Sequence, residues 1–599
     1  MMKKIKQAAA AVISAAMLLS IIPAANAAEE EKPSYPAPNF KLYQTDYYTD
    51  EYVIAGYTVQ DFGAKGDGVT DDTKAFQDAI DAAAAAGGCT IWVPEGRYAI
   101  KGNLVMKQGV SINGEIDTPG RDKAVKGTIL QAYAGRGSIE GDPFIMMQPV
   151  TGIHDLAIWY PEQEADNIQP YPPAIQMGDP SVWGNDYVTV DNIEFVNAYL
   201  GYKNNPNMGG CPIVRNIYGT PLKSGIRIDS LADVGRIENC DFSPLYWENS
   251  GLPGAPSDKD SHRSYIYENG IAYEMSRNDW SYGRWLTADR YGVGFYALNS
   301  FCEGAWNGES RISNMYPNGE NYGMKFSNCH IGVAIEDTSN SGMVITHTEI
   351  DNCENGFVAR NTMASKISLI GWTINATDNA ILNEGTGQVM MQEMDIESGK
   401  VSLSAGYASM LNCKFNNAAP QITLGKYSNA SILGSTFKET KTIENNSVLT
   451  VTVDDTPVEM EPTPEFPQVN VLEVKPPRAV MYNAKDFGVK IDGVTDDAPA
   501  IQKALDKAAA DGGGIVFLPP GFYGIKSELT VPSNVEFRGA LDTGTMPRKN
   551  GSTLEIYHGK GQEGGATIHL QEKSTIRGIC VDYPEQDYND PIKFPYTVQ

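Results

Sequence analysis

The chain has no Cys-x-x-Cys pair, and its 8 cysteines stand singly along 599 residues. That excludes a disulfide-dense scaffold and a zinc ribbon. Four of them, Cys240, Cys329, Cys353 and Cys413, follow asparagine in ENCDF, SNCHI, DNCEN and LNCKF, which predicts one recurring, buried structural position. Positive charge is scarce as well: 47 Lys and Arg against 74 Asp and Glu leave a formal charge of −27. No basic cluster interrupts this surface, which repels phosphate backbones and anionic bilayers, so nucleic acid is not an expected partner. Polyanionic glycans are disfavoured for the same reason unless a local basic pocket reverses the sign. Long apolar runs are missing beyond the first residues. There, Lys3, Lys4 and Lys6, an apolar run from Ala8 to Ile22 and then Ala25-Asn26-Ala27 follow the order of a secretory leader cleaved after Ala27. The run is shorter than the roughly 20 apolar residues of a membrane span. The mature protein is expected outside the cell, with no membrane contact once the leader is removed.

What the sequence does contain is a long duplication. The segment from Tyr57 to Gly114 returns from Met481 to Gly539, with Asp61 matching Asp486, Asp71 matching Asp496 and Gly114 matching Gly539 at a constant offset of 425. Thr151 to Gln176 likewise faces Ser574 to Gln599 at an offset of 423. Self-similarity of this kind reports two copies of one folding unit. The first copy runs on well past this point while the second stops at Gln599, so the second domain is expected to be cut short. The plan expected is a leader at 1–27, an extended arm at 28–56, a first domain at 57–453, a proline-rich linker at 454–480 and the start of a second domain at 481–599.

In the opening module Phe76, Ala79, Ile80 and Ala83 recur at helical spacing. Thr70 reads as the N-cap, Asp71 and Asp72 sit where the helix dipole favours negative charge, and Gly87 and Gly88 end the helix. From about Val188 short apolar strings alternate with Asn and Gly. Anchors Ile350, Ile374, Ile396, Phe415 and Phe437 lie 24, 22, 19 and 22 apart, a period that suits stacked β-coils too small to bury a face alone. A block from about 244 to 295, dense in Trp, Tyr, Asp and Glu, interrupts the rhythm and reads as an insertion on one face.

The strings DFGAKGDGVTDD and DFGVKIDGVTDD, each followed by a helix and then by WVPEGRY or FLPPGFY, resemble the N-terminal signature of the pectate-lyase-like superfamily, of rhamnogalacturonase and epimerase type. The tandem arrangement is similar to that of β-helix exo-β-glucanases that degrade laminarin. The resemblance implies an all-β chain: a right-handed parallel β-helix solenoid with an N-terminal capping helix, followed by the start of a second, truncated β-helix. It also implies an extracellular protein whose partner is a polysaccharide substrate. Polygalacturonase is not implied, because Gly-His-Gly is absent and none of His154, His262, His330, His347, His558 and His569 stands in that context.

Glycosidic cleavage commonly uses two carboxyl groups, about 5–5.5 Å apart for retention or about 6.5–9.5 Å for inversion. Asp67, Asp71 and Asp72 read as turn and helix cap and lack EF-hand spacing. No cofactor is expected, and calcium has no specific motif behind it. Tyr160-Pro161-Glu162-Gln163, repeated as Tyr583-Pro584-Glu585-Gln586, places a carboxylate beside an aromatic ring, or simply closes a turn. The catalytic candidates are Glu162, Asp229, Glu248, Glu268, Glu274 and Asp279. Tyr160, Trp247, Trp280, Tyr282 and Trp285 are the candidates for stacking on sugar faces. The plainer reading makes the aromatics the core of a long loop and pairs the acids with Arg263, Arg277, Arg284 and Arg290. The expected function is a secreted glycoside hydrolase acting between two β-helices on a glucan or related polysaccharide. A non-catalytic glycan-binding surface protein and a polysaccharide lyase are the alternatives.

Overall fold

The computed structural model describes residues 34–45, 47, 52–179, 186–204, 209–231, 233–300, 315–461, 463–465, 478–541 and 550–599. The leader expected at 1–27 and residues 466–477 of the expected linker lie outside them. All elements below belong to one unit, Pro38–Gln599.

Each turn of the chain lays short strands on three parallel sheets, named A, B and C here. Val188–Phe195 bends at Asn192, so 188–191 lies on A and 193–195 on B, and Leu200–Asn204 follows on C. The next turn, Ile213–Gly219 and Ser224–Ile228, stacks on it in register, with Val190 opposite Val214, Ile193 opposite Ile217 and Tyr202 opposite Ile226. Parallel strands need long crossovers, and a coil satisfies this by making the other two sheets the connection.

The anchors read from the sequence pair rung on rung. Phe326, Ile350, Ile374, Ile396, Phe415 and Phe437 form one continuous inward row on B. Opposite them, C presents small residues. A Cβ on Gly225 would lie 2.5 Å from the Phe242 ring, on Gly294 2.5 Å from Phe326, on Gly332 2.6 Å from Ile350 and on Gly356 2.8 Å from Ile374. Large side chains from B therefore fill the space that small ones on C leave, the complementarity that close-packed interiors require.

The turn from A to B is made by one residue in the left-handed region: Asp155, Asn192, Asn216 and Asn239 have φ of 56°, 53°, 55° and 54°. A short polar side chain tolerates this conformation and bonds locally, and here it also bonds along the stack. Asn192 Nδ2 donates to Asp155 Oδ1 at 2.6 Å, and Asn239 Nδ2 to Asn216 Oδ1 at 2.6 Å. The turn from B to C uses the same device, with Asn352 Nδ2 donating to Asn328 Oδ1 at 2.8 Å. The Asn-Cys strings thus mark two corners rather than one: Cys240 and Cys413 follow the A/B turn, Cys329 and Cys353 the B/C turn, and all four are buried.

The inserted block is shorter than its composition predicts. Only 243–270 leaves the coil, as the helices Leu245–Asn249 and Asp260–Asn269. Ile271–Met275, Tyr282–Asp289 and Val293–Ala297 are regular rungs. Their outward residues are aromatic or charged, which hid the buried Leu286, Ala288 and Phe295 between them. The insertion rests on a loop, 114–127, through Val125 N to Ser250 O at 3.0 Å and Asn249 Nδ2 to Arg121 O at 2.8 Å.

In the opening module the helix is Thr73–Ala85, and Thr70 is not its cap. Thr70 lies on Asp67–Asp71, because Asp67 collects the amides of Val69 and Thr70 and the Thr70 hydroxyl at 2.9, 2.7 and 2.8 Å. Asp72 takes the cap position, while its carboxylate accepts from the amides of Lys65 and Gly66 at 2.8 and 3.1 Å. The second module repeats this around Asp492 and Asp497, ahead of the helix Ala498–Ala510. The arm is not simply extended: Lys41–Tyr43 pairs antiparallel with Val53–Ala55. Tyr43 stacks on Trp92 of the first module at 5.2 Å, and Phe40 packs on Phe517 of the second at 4.9 Å. Arg538 Nη1 donates to Tyr52 O at 2.6 Å, so the paired arm is the mortar between the modules.

Candidate functional site

Followed along the solenoid, the A/B corner reads Asp155, Asn192, Asn216, Asn239, Trp285, Gly323, His347, Gly371, Glu393, Asn412 and Gly434, all at positive φ. Three residues break the Asp/Asn/Gly rule: Trp285 at 53°, His347 at 52° and Glu393 at 52°. A bulky L-residue in this region is costly and persists where its surroundings hold it. Such outliers cluster at functional sites, and here the three stand on one edge of the molecule.

Trp285 and His347 flank a groove. Its floor is the outward row of sheet B, where Asp241, Thr287, Lys325, Glu349 and Thr373 follow one another across the rungs. Its other side is the outward row of sheet A, with Arg284, Tyr322 and Thr346. Two cavities of about 450 and 560 Å³ share Trp285, Tyr322 and His347. Tyr322 stands edge-on to Trp285 at 6.3 Å and lies 5.2 Å from the His347 ring. Lys325 and Glu349 are bridged on the floor. At the end nearest the insertion, Asp241 accepts from Arg121 Nε at 2.8 Å, from the Tyr246 hydroxyl at 2.8 Å and from Thr287. This clamp ties loop 114–127 and the first inserted helix to the coil.

Glu194 lies two rungs from Asp241 on the same outward row. It is 3% exposed, its Oε1 has no hydrogen-bond partner among the described residues, and burial alone pushes its carboxyl up to about 8 from 4.5. The neutral acid is therefore the folded form. The penalty for burying it is absent below about pH 4.5 and grows as pH rises toward 8. Glu194→Gln is expected to stabilise the protein by on the order of 2–4 kcal/mol at pH 8 and by little at pH 4.5. Urea unfolding at the two pH values checks this, and an equal shift at both contradicts it.

The residues singled out in the sequence are spread over several faces. Tyr160 is a core side chain packed on Tyr171 at 4.7 Å, and Trp247 is fully buried, so neither offers a ring to a sugar. Glu162 is exposed, but the repeated motif is explained by the residue after it. Gln163 closes the loop through Gln169 N at 2.7 Å and Gln169 O at 2.8 Å, and Gln586 does the same with Ile592 at 2.6 and 2.9 Å.

Glu248 is buried under the insertion. Burial would raise its pKa, but hydrogen bonds and charge from Arg263, at 2.6 and 2.7 Å, and from His262, at 3.0 Å, hold it below the usual value. Glu274 is bridged to Arg227 at 2.7 Å, and Asp229 accepts from Ser300 at 2.7 Å; both are buried toward sheet C. Asp279 pairs with Arg277 at 3.0 Å, beside Trp280, which is 52% exposed at the turn from C to A. Glu268 borders a separate cavity of about 350 Å³ with Tyr267, His330 and Arg360. Tyr282 lies under the Arg284 guanidinium at 5.4 Å. Of the eleven, Trp285 alone borders the groove. Glu349, Tyr322 and His347 were missed; only alignment of the coils, which puts His347 in an asparagine column, marks one of them.

Residues 57–162 and 481–583, the opening part of each module, match the family described as rhamnogalacturonase A/epimerase, pectate lyase-like. The chain is 52% identical over 65 residues to Alginate lyase 7 of Azotobacter vinelandii, a match covering 10% of this chain and 8% of that protein. It is 42% identical over 73 residues to Plasmin and fibronectin-binding protein A of Streptococcus pneumoniae, covering 11% of this chain and 10% of that protein. The chain thus spans a tenth or less of the length of these relatives. Among solved structures, the A-module of mannuronan C-5 epimerase AlgE6 of Azotobacter vinelandii is similar over 67% of this chain and 100% of that one, at 16% identity and a TM-score of 0.36. No helix among the described residues is long and apolar enough to cross a membrane.

Proposed function

From two pectate-lyase-like modules carried in one chain, we propose an exported protein that binds and cleaves a polysaccharide along the A/B corner of its first module, as a glycoside hydrolase. The observation that carries this reading is the strained pair Trp285 and His347, which abandons the corner rule where aromatic and charged side chains converge on a groove. The sequence placed the reaction between two β-helices; the corner of one solenoid supports it better. Aromatic rings take the apolar faces of sugars, and charged groups take hydroxyls or move protons.

Asp241 is already saturated by Arg121, Tyr246 and Thr287. Glu349, whose side chain is 60% exposed, is the floor carboxylate a sugar can reach. Lyase chemistry on an acidic glycan is the second reading: Arg284, Lys325 and His347 supply cations and a base for a sugar carboxylate, set among the acids Asp241, Glu320, Glu349 and Glu465 that border the same cavities.

A panel of polysaccharides separates the readings. Release of reducing ends marks hydrolysis, absorbance from unsaturated products marks a lyase, and retention without turnover marks a glycan-binding surface protein. Under the hydrolase reading Glu349→Gln lowers kcat at least about 100-fold. Neither binding nor turnover on any glycan overturns the proposal.

A further inference from the structure

After the strand Val451–Asp454, at the far end of the first module, the chain turns back along the A/B corner. Asn412 Nδ2 donates to Val458 O at 2.9 Å. Gly434, at φ 59°, gives the returning chain its room, because a Cβ there would lie 3.0 Å from Val458 N and 2.4 Å from Asn412 Oδ1. Farther along, Glu393 accepts from the Thr463 hydroxyl at 2.5 Å and from the Thr463 amide at 3.3 Å, and Gln392 reaches the same hydroxyl at 3.3 Å. Pro464 then borders the larger cavity beside Tyr322 and His347, and Glu465 borders the smaller one with Glu349 and Trp285. The third exception to the corner rule is thereby accounted for: Glu393 is where the returning chain is pinned. The Thr463 bond also holds the Glu393 carboxyl below its usual pKa, so the pin is charged at neutral pH.

We propose that the segment after the first module is part of the site: Thr463 and Glu393 are positioning residues that hold the Glu465 carboxylate at the groove, where it acts with Glu349 as the second carboxylate of hydrolysis. This rests on the glycan reading above. One carboxyl protonates the leaving glycosidic oxygen while the other takes a proton from the attacking water or forms the glycosyl bond that water then breaks. The C–O bond to the leaving sugar is replaced by one to water's oxygen, and no further reactant is needed.

The test uses the full chain on whichever polysaccharide the panel identifies. Thr463→Val combined with Glu393→Gln is expected to lower kcat about 10- to 100-fold, the loss of a charge-assisted anchor, with KM changed less than threefold because Trp285 and Tyr322 remain. Glu465→Gln is expected to match it. Thr463→Ser, which keeps the hydroxyl, is expected to behave as the wild type, and this separates positioning from a loss of folding. Unchanged or raised kcat in the double variant overturns the proposal while leaving the glycan reading intact. Binding without turnover by the wild type overturns this proposal and the hydrolase assignment together. Absence of any glycan binding overturns the groove reading as well.

Discussion

Trp285→Asn is expected to weaken polysaccharide binding by about 30- to 100-fold and, in the same protein, to raise the melting temperature. The two effects have separate origins. A tryptophan lining a binding groove is the kind of residue whose removal costs about 2 kcal/mol or more, which is the fold-change above. The backbone at Trp285 has φ of 53°, a conformation that costs an ordinary L-residue about 1–2 kcal/mol and asparagine less. The preceding corner residues, Asn216 and Asn239, already bond side chain to side chain, so an asparagine at 285 extends an existing ladder. Glycan titration and thermal unfolding on one preparation measure both. Lost binding with lowered stability would mean that the ring is a structural element and the corner strain is not held for function.

Phe326→Ala is the larger stability effect, expected at about 3–5 kcal/mol. Phe326 is fully buried between Ala288 and Ile350 on the inward row of B, and its ring faces Gly294. Glycine cannot move a side chain into the vacated space, and the rungs above and below are held by their own ladders, so the cavity collapses poorly. Lys325, one residue earlier, points outward to Glu349. Lys325→Ala is expected to cost less than about 1 kcal/mol, the ordinary worth of an exposed ion pair. Urea unfolding of the pair of variants checks the contrast. Similar losses in both would deny that the inward row carries the stability.

The stacking of the coils was readable because the anchors Ile350, Ile374, Ile396, Phe415 and Phe437 recur at nearly constant spacing, and a rung repeats the same inward position on each turn. Other features needed the register first. Residues from Ile271 onward looked like insertion because their outward positions are Tyr, Trp, Arg and Glu, while a coil reveals itself only through alternating inward residues that are fewer and smaller. Thr70 was drawn away from the helix start by Asp67, a competition between two short side chains for the same amides that composition does not rank. Glu194 reads as a surface acid in its strand, yet it is buried, and Tyr246 of the inserted helix, close enough to feel its charge, is far from it in sequence. The groove was the hardest to see. Trp285, His347 and Glu393 are far apart in the chain and share no motif; what they share is a column, visible once the corners of successive turns are aligned.

The pairing of bulky residues on B with small ones on C holds at level after level, from Phe242 over Gly225 to Ile374 over Gly356. A scaffold built this way is modular in height. Removing or adding one whole turn brings together two faces that already fit, and changes the length of the column by about 4.8 Å. The same regularity means that a groove on its flank can be lengthened or shortened by whole steps of that size without redesigning what lies beneath it.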